Sequence, residues 1–161
     1  MVIPGKPHGK YVLTLSIIIL LGGVAFYMIR PVEHAGQTLS AVTINGHEYL
    51  VELANTPALQ QQGLSDRLLL APDTGMLFQF TKPGKYSFWM KDMRFSIDMI
   101  WIRDGKVVGF VVDAPIGNTI PAIFTPPVEV DMVLEVNAGT VKADGITIGD
   151  AVSLKAISEI Q

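Results

Sequence analysis

The chain contains no cysteine. Disulfides, thiolate metal sites, a cysteine nucleophile and a lipid anchor attached through cysteine are all excluded. Histidine is scarce: the three are His8, His34 and His47, and none lies beyond position 47. A catalytic triad with a histidine base is therefore disfavoured. No His-Glu-x-x-His, no Gly-x-Ser-x-Gly elbow and no phosphate-cradling glycine-rich loop occurs. Positive charge is also in deficit. Beyond Gly36 there are nine Lys and Arg against fourteen Asp and Glu, a net charge of −5. Nucleic acid and anionic surfaces are thereby disfavoured as partners, and no cofactor is called for.

Charge is missing altogether from Tyr11 to Ile29, which reads YVLTLSIIILLGGVAFYMI. At a rise of ~1.5 Å per residue such a run reaches ~29 Å, the hydrocarbon thickness of a bilayer. The run exceeds a typical secretory h-region, and its exit, Arg30-Pro31-Val32-Glu33-His34-Ala35, places Glu33 where a cleavage site wants a small residue. A retained anchor over 11–29 is expected rather than a removed signal or a buried core helix. Lys6 and Lys10 precede it and Arg30 follows, so the positive-inside rule puts residues 1–10 in the cytoplasm and the rest of the chain outside it. Residues 30–37 form a short linker. The expected localisation is the cell membrane, single-pass, with residues 38–161 forming one extracytoplasmic domain.

That domain is patterned as short strands between turn signals. Leu39 to Ile44 and His47 to Ala54 flank Asn45-Gly46, a preferred type I′ hairpin pair, and Asp104-Gly105 separates Ile97 to Arg103 from Lys106 to Asp113 in the same way. Thr56 and Pro57 open a short helix that Gly63 stops. A turn over Lys82–Lys85 is expected to join Met76–Phe80 to Tyr86–Met90. Residues 97–102 are apolar on both faces except for Asp98, so this strand should be covered on both sides. Prolines at 115, 121, 126 and 127 predict a long loop over Pro115–Pro127. In Val128 to Val136 the alternation sends Val128, Val130, Met132, Leu134 and Val136 inward and Glu129, Asp131 and Glu135 outward, with Val133 out of phase. One helical turn over Asn137–Asp144 and a last strand over Ala151–Ile157 complete the pattern. The fold class is mainly β: a single sandwich or barrel-like domain with one or two short helices, preceded by one N-terminal transmembrane helix.

Several short motifs recur in order. They are Leu53-Ala54-Asn55-Thr56-Pro57, Gly63-Leu64 with Arg67, Gly75-Met76-Leu77-Phe78, Phe88-Trp89-Met90-Lys91, Ile97-Asp98 with Ile100, Leu134-Glu135-Val136-Asn137-Ala138-Gly139, and Gly145-Ile146 with Gly149-Asp150. As a set, over roughly Val51 to Val152, they resemble the bacterial and archaeal family called domain of unknown function 192. The resemblance implies one mainly-β domain, often exported or tethered, and no established reaction. Two departures stand out: Asp92-Met93 follows Trp-Met-Lys where the family tends to Asn-Thr, and Leu64-Ser65-Asp66 precedes Arg67 where Leu-Met is common.

Four residues are candidates for ligand binding: Arg67, Trp89, Lys91 and Asp98. Arg67 can present a fork to a carboxylate or phosphate, or pair structurally with an acid of the sheet such as Asp98. Trp89 and Lys91 should share a strand face opposite Met90, and can stack on a planar ligand or simply pack. Asp98 needs a partner wherever it is buried; Arg67 or Lys91 is expected. Asp92, Asp113 and Asp131 are possible second carboxylates for hydrolysis. Met90, Met93 and Met99 with His34 and His47 invite comparison with soft-metal sites. The reading that follows is a membrane-anchored binding module for a small ligand, envelope component or protein. A carboxylate-dependent hydrolase of envelope carbohydrate and a soft-metal handling module are the alternatives.

Overall fold

The computed structural model describes residues 39–117 and 122–157. The expected tail, membrane span and linker lie outside them, and among the described residues no helix is long and apolar enough to cross a membrane. Strands β1 (Leu39–Ile44) and β2 (His47–Ala54) form the first hairpin. Asn45 and Gly46 both take positive φ, 49° and 81°, as a type I′ turn requires. The Thr56 side chain caps α1 (Pro57–Gln62) by accepting from the Leu59 N–H at 3.3 Å. This helix is the crossover that lets β3 (Thr74–Gly84) lie parallel to β2.

The second type I′ hairpin joins β5 (Ile97–Arg103) to β6 (Lys106–Ala114) through Asp104-Gly105. Strand β8 (Val130–Asn137) inserts between β3 and β5. After α2 (Thr140–Ala143), β9 (Val152–Ala156) pairs with β1. The seven-stranded sheet therefore runs β6-β5-β8-β3-β2-β1-β9. Its two edges meet at one end, where Lys106 bridges Ala151 and Val107 N–H donates to Asp150 O at 2.9 Å. The sheet is a half-barrel curled until its edges clip together.

Both faces of this sheet are buried. The concave face packs Val42, Ile44, Tyr49, Val51, Leu77, Ile100, Ile102, Leu134 and Val136 beneath Val141 of α2. The convex face packs Met76, Phe78, Met99, Trp101 and Val133 beneath Leu64, Phe88 and Met90. Strand β5 is covered on both sides, as its two-faced apolarity predicts. In β8 the same arrangement overturns the expected outward position of Glu135. The convex face is no solvent face, and Glu135 is only 5% exposed there.

Two further expectations are corrected. The turn expected over Lys82–Lys85 comes later, because Lys82 to Gly84 still belong to a strand. Strand β3 runs on to Gly84, Tyr86 folds back to stack on Phe80 at 3.7 Å, and β4 (Phe88–Trp89) leaves the main sheet. It pairs instead with β7 (Ile123–Phe124), which interrupts the expected long loop. This two-stranded ribbon lies over the convex face, with Phe88 packed in the convex cluster.

Candidate functional site

The convex face carries one cross-strand row that is unusual for a core. Glu52 of β2 lies opposite Met76 of β3, Met76 opposite Glu135 of β8, and Glu135 opposite Met99 of β5. Neighbouring strands are ~4.8 Å apart, so the Cα atoms of Glu52 and Glu135 are separated by about 10 Å. The two carboxyl groups have different fates. Arg67 forks onto Glu52, with both nitrogen–oxygen distances 2.5 Å. Among the described residues no hydrogen bond or ion pair reaches the Glu135 side chain. Burial alone pushes its carboxyl up from the ordinary 4.5 to about 8.

Glu135 lines a cavity of about 30 Å³, room for one or two waters. Gln61, Gln62, Gly63, Leu64 and Ser65 line it together with Phe78, Phe88 and Trp89. Among the described residues no Lys, Arg or second carboxylate lines it. The helical cover is tied down by polar contacts: Gln60 Nε2 donates to Ala54 O and Gln79 O, and Ser65 Oγ donates to Lys91 O. The Asp66 N–H donates to Asp92 O at 2.9 Å. A Cβ at Gly75 would lie 2.6 Å from the Glu135 carbonyl oxygen, so glycine there permits the close approach of β3 to β8.

Trp89 stands at the mouth, 52% exposed, with Met90 turned inward, the alternation expected of a strand. Lys91 Nζ lies 5.4 Å from the Trp89 ring centroid. Ile123, opposite Trp89 in the ribbon, is 68% exposed and extends the apolar surface.

Of the four candidates, the structure thus brings Trp89 and Lys91 together. Arg67 is engaged with Glu52, a pairing with the sheet as one of its two readings held, but with a different acid. Asp98 lies on the concave face, fully buried, and the expected cation partner is replaced by backbone. Asp113 N–H donates to Oδ1 at 2.8 Å and Val141 N–H to Oδ2 at 2.9 Å. Asp98 thereby fastens α2 and the end of β6 to the central strand. Asp131 accepts from the Asp104 N–H, and Asp92 pairs with Lys91 at 3.8 Å; neither lines the cavity. His47 lies 3.6 Å from Asp144, away from the convex cluster that holds Met90 and Met99, and His34 lies outside the described residues.

A second, open depression surrounds Tyr49, Asp73, Asn137 and Asp144. Three of its polar side chains are already engaged: Tyr49 donates to Asp144 at 2.5 Å, and Asn137 Nδ2 donates to Leu70 O and Ala71 O. Burial, and then Asp144, raise the Tyr49 hydroxyl above its ordinary value.

The family described as Uncharacterized ACR, domain of unknown function 192, matches residues 40–154. A solved structure from Sinorhizobium meliloti 1021, described as that of a proposed transcription regulator, is 34% identical with a TM-score of 0.66, covering 73% of this chain and 93% of that one. A protein of unknown function from Novosphingobium aromaticivorans is 29% identical with a TM-score of 0.67, covering 78% and 90%. No curated protein matches the chain.

Proposed function

We propose a function for a chain that belongs to the family of domain of unknown function 192: it is a membrane-anchored, extracytoplasmic binding module whose ligand docks in the cavity beneath α1. The observation that carries this is Glu135, a side chain only 5% exposed whose carboxyl has no partner among the described residues and opens on a cavity that an exposed tryptophan also lines. An apolar side chain would close this sheet face at lower free energy, because a buried carboxyl without hydrogen bonds is costly. A ligand that completes those bonds gives the group a use. Trp89 and Ile123 supply the apolar platform and Lys91 flanks it. Arg67 and Asp98 are assigned to the frame.

The hydrolase alternative asks for two carboxyl groups facing one bond, and the cavity offers one. The soft-metal alternative asks for converging thioethers and imidazoles, and the only described histidine is engaged elsewhere. The regulator description of the Sinorhizobium protein is not carried over, since a domain of net −5 offers no electrostatic footprint for DNA. Tethering rests on the charge-free run 11–29 and on Lys6 and Lys10 preceding it.

The test is a fragment screen on the full chain, read by ligand-observed NMR and tryptophan fluorescence. Fragments are expected whose binding is lost in Glu135→Gln and weakened in Trp89→Ala. A screen in which every hit is indifferent to both substitutions overturns the assignment.

A further inference from the structure

We propose that the cavity receives a primary ammonium group, carried by a small molecule whose body lies against Trp89, and that this ammonium pairs with the Glu135 carboxylate. The inference rests on the cavity being a ligand site and names the ligand's chemistry. Three observations converge on it. Among the described residues the lining has one acidic side chain and no basic one, so a cation entering it can pair with Glu135 and meets no like charge. The aromatic residues Phe78, Phe88 and Trp89 are among those that line the same space, and aromatic rings attract cations. The volume, about 30 Å³, has room for a water-sized –NH₃⁺. Gln61, Gln62 and Ser65 in the wall carry acceptor oxygens for its remaining N–H donors. The net −5 of the domain favours the approach of cations.

Binding releases a proton. Burial keeps the empty site in its acid form at neutral pH. The arriving R–NH₃⁺ converts Glu135–COOH to the carboxylate, the proton leaves to solvent, and the pair is neutral. No element packed on Glu135 brings another titrating group into the cavity: Met76 and Phe78 come from β3, Ile97 and Met99 from β5, Phe88 and Trp89 from β4, and the α1 side is uncharged from Gln60 to Ser65. The nearest charges in the flanking segments are Glu52 with Arg67, Lys91 with Asp92, and Asp66 with Arg94. Each of these is already paired with its opposite.

The experiment uses the full chain in phosphatidylcholine nanodiscs, a lipid without a primary amine. The probes are n-butylammonium, 1-butanol, tetramethylammonium and a peptide with one free lysine side chain. Tryptophan fluorescence reports binding, and calorimetry in buffers of different protonation enthalpy counts protons. Butylammonium is expected to bind with release of nearly one proton at pH 7, and its Kd should fall about tenfold from pH 6 to pH 7. Tetramethylammonium and butanol should bind at least tenfold more weakly. Glu135→Gln should lose the preference for butylammonium over butanol, and Glu135→Met, which needs no buried hydrogen bond, provides a second variant where the amide perturbs folding. Butanol binding as tightly as butylammonium, or binding without proton release, overturns the ammonium while leaving a ligand site in place. Tighter binding of the lysine peptide by tenfold or more overturns the small-molecule source. If no probe binds and the fragment screen is also empty, both readings fall together.

Discussion

Glu135 ties the stability of the fold to pH in a direction opposite to that of most carboxylates. Its folded value is raised from 4.5 to about 8, so between those limits the folded state holds a proton that the unfolded state has released. Stability then falls as pH rises from about 4.5, and levels off above about 8; the full effect is about 5 kcal/mol. Denaturant titrations at pH 5, 7 and 8.5 should show this decline, and Glu135→Met should flatten it while raising stability at pH 7 by about 1–3 kcal/mol. A flat wild-type profile over that range contradicts the assignment. Asp98 makes the opposite case. Its two oxygens accept two backbone N–H groups, and in Asp98→Asn the side-chain amide must turn its own N–H toward one of them. A loss of about 1–3 kcal/mol is expected from chemical denaturation. The burial of Asp98 was legible because Ile97, Met99 and Ile100 surround it in sequence. Glu135 carried the same signal, with Val133 and Leu134 apolar in both phases, but a single alternating face explains most of β8 and hides it. The partners of either acid were not legible, since backbone donors from 113 and 141 leave no mark in composition.

At the level of elements, what was local was readable. Both type I′ hairpins, the Thr56-Pro57 start of α1 and its Gly63 stop stand where their turn chemistry puts them. What depended on distant pairing was not. Nothing near Phe88-Trp89 announces that its ladder partner is Phe124-Ile123, so the sequence shows a turn at Lys82–Lys85 and a following strand but not where that strand pairs. Gly75 is a case where the element and the site meet. It sits in β3 against the Glu135 carbonyl, where a Cβ would approach backbone oxygen at 2.6 Å and the Leu134 and Val136 side chains at 3.1 and 3.2 Å. Gly75→Ala should therefore push β3 from β8, costing about 1–3 kcal/mol in thermal or chemical denaturation and widening the cavity beneath Trp89. Gly46→Ala, whose Cβ would meet nothing within 4 Å, isolates the cost of positive φ alone. Gly75 has no positive φ, so a Gly75→Ala variant as stable as the wild type would show that crowding at β8 contributes nothing.

On the scale of the whole molecule, the same chain is read in two physical languages. Beyond Gln37 the apolar residues are divided between two faces of a curled sheet, which is how a domain without disulfides builds a sufficient core. Over 11–29 they form one run without charge or polar stripe, a pattern that calls for lipid rather than a sheet face. The two demands separate cleanly, so they can be broken separately. Replacing Leu20 with Arg should weaken membrane insertion by about 2.5–3.5 kcal/mol. It should leave the amine-linked fluorescence of Trp89 unchanged. Fractionation then gives a shift of the protein from membrane to soluble pools, and N-terminal sequencing of the wild type gives the residues preceding Tyr11. A wild-type product that begins near Ala35 or Gly36 contradicts the retained anchor, because the run would then have served only for export.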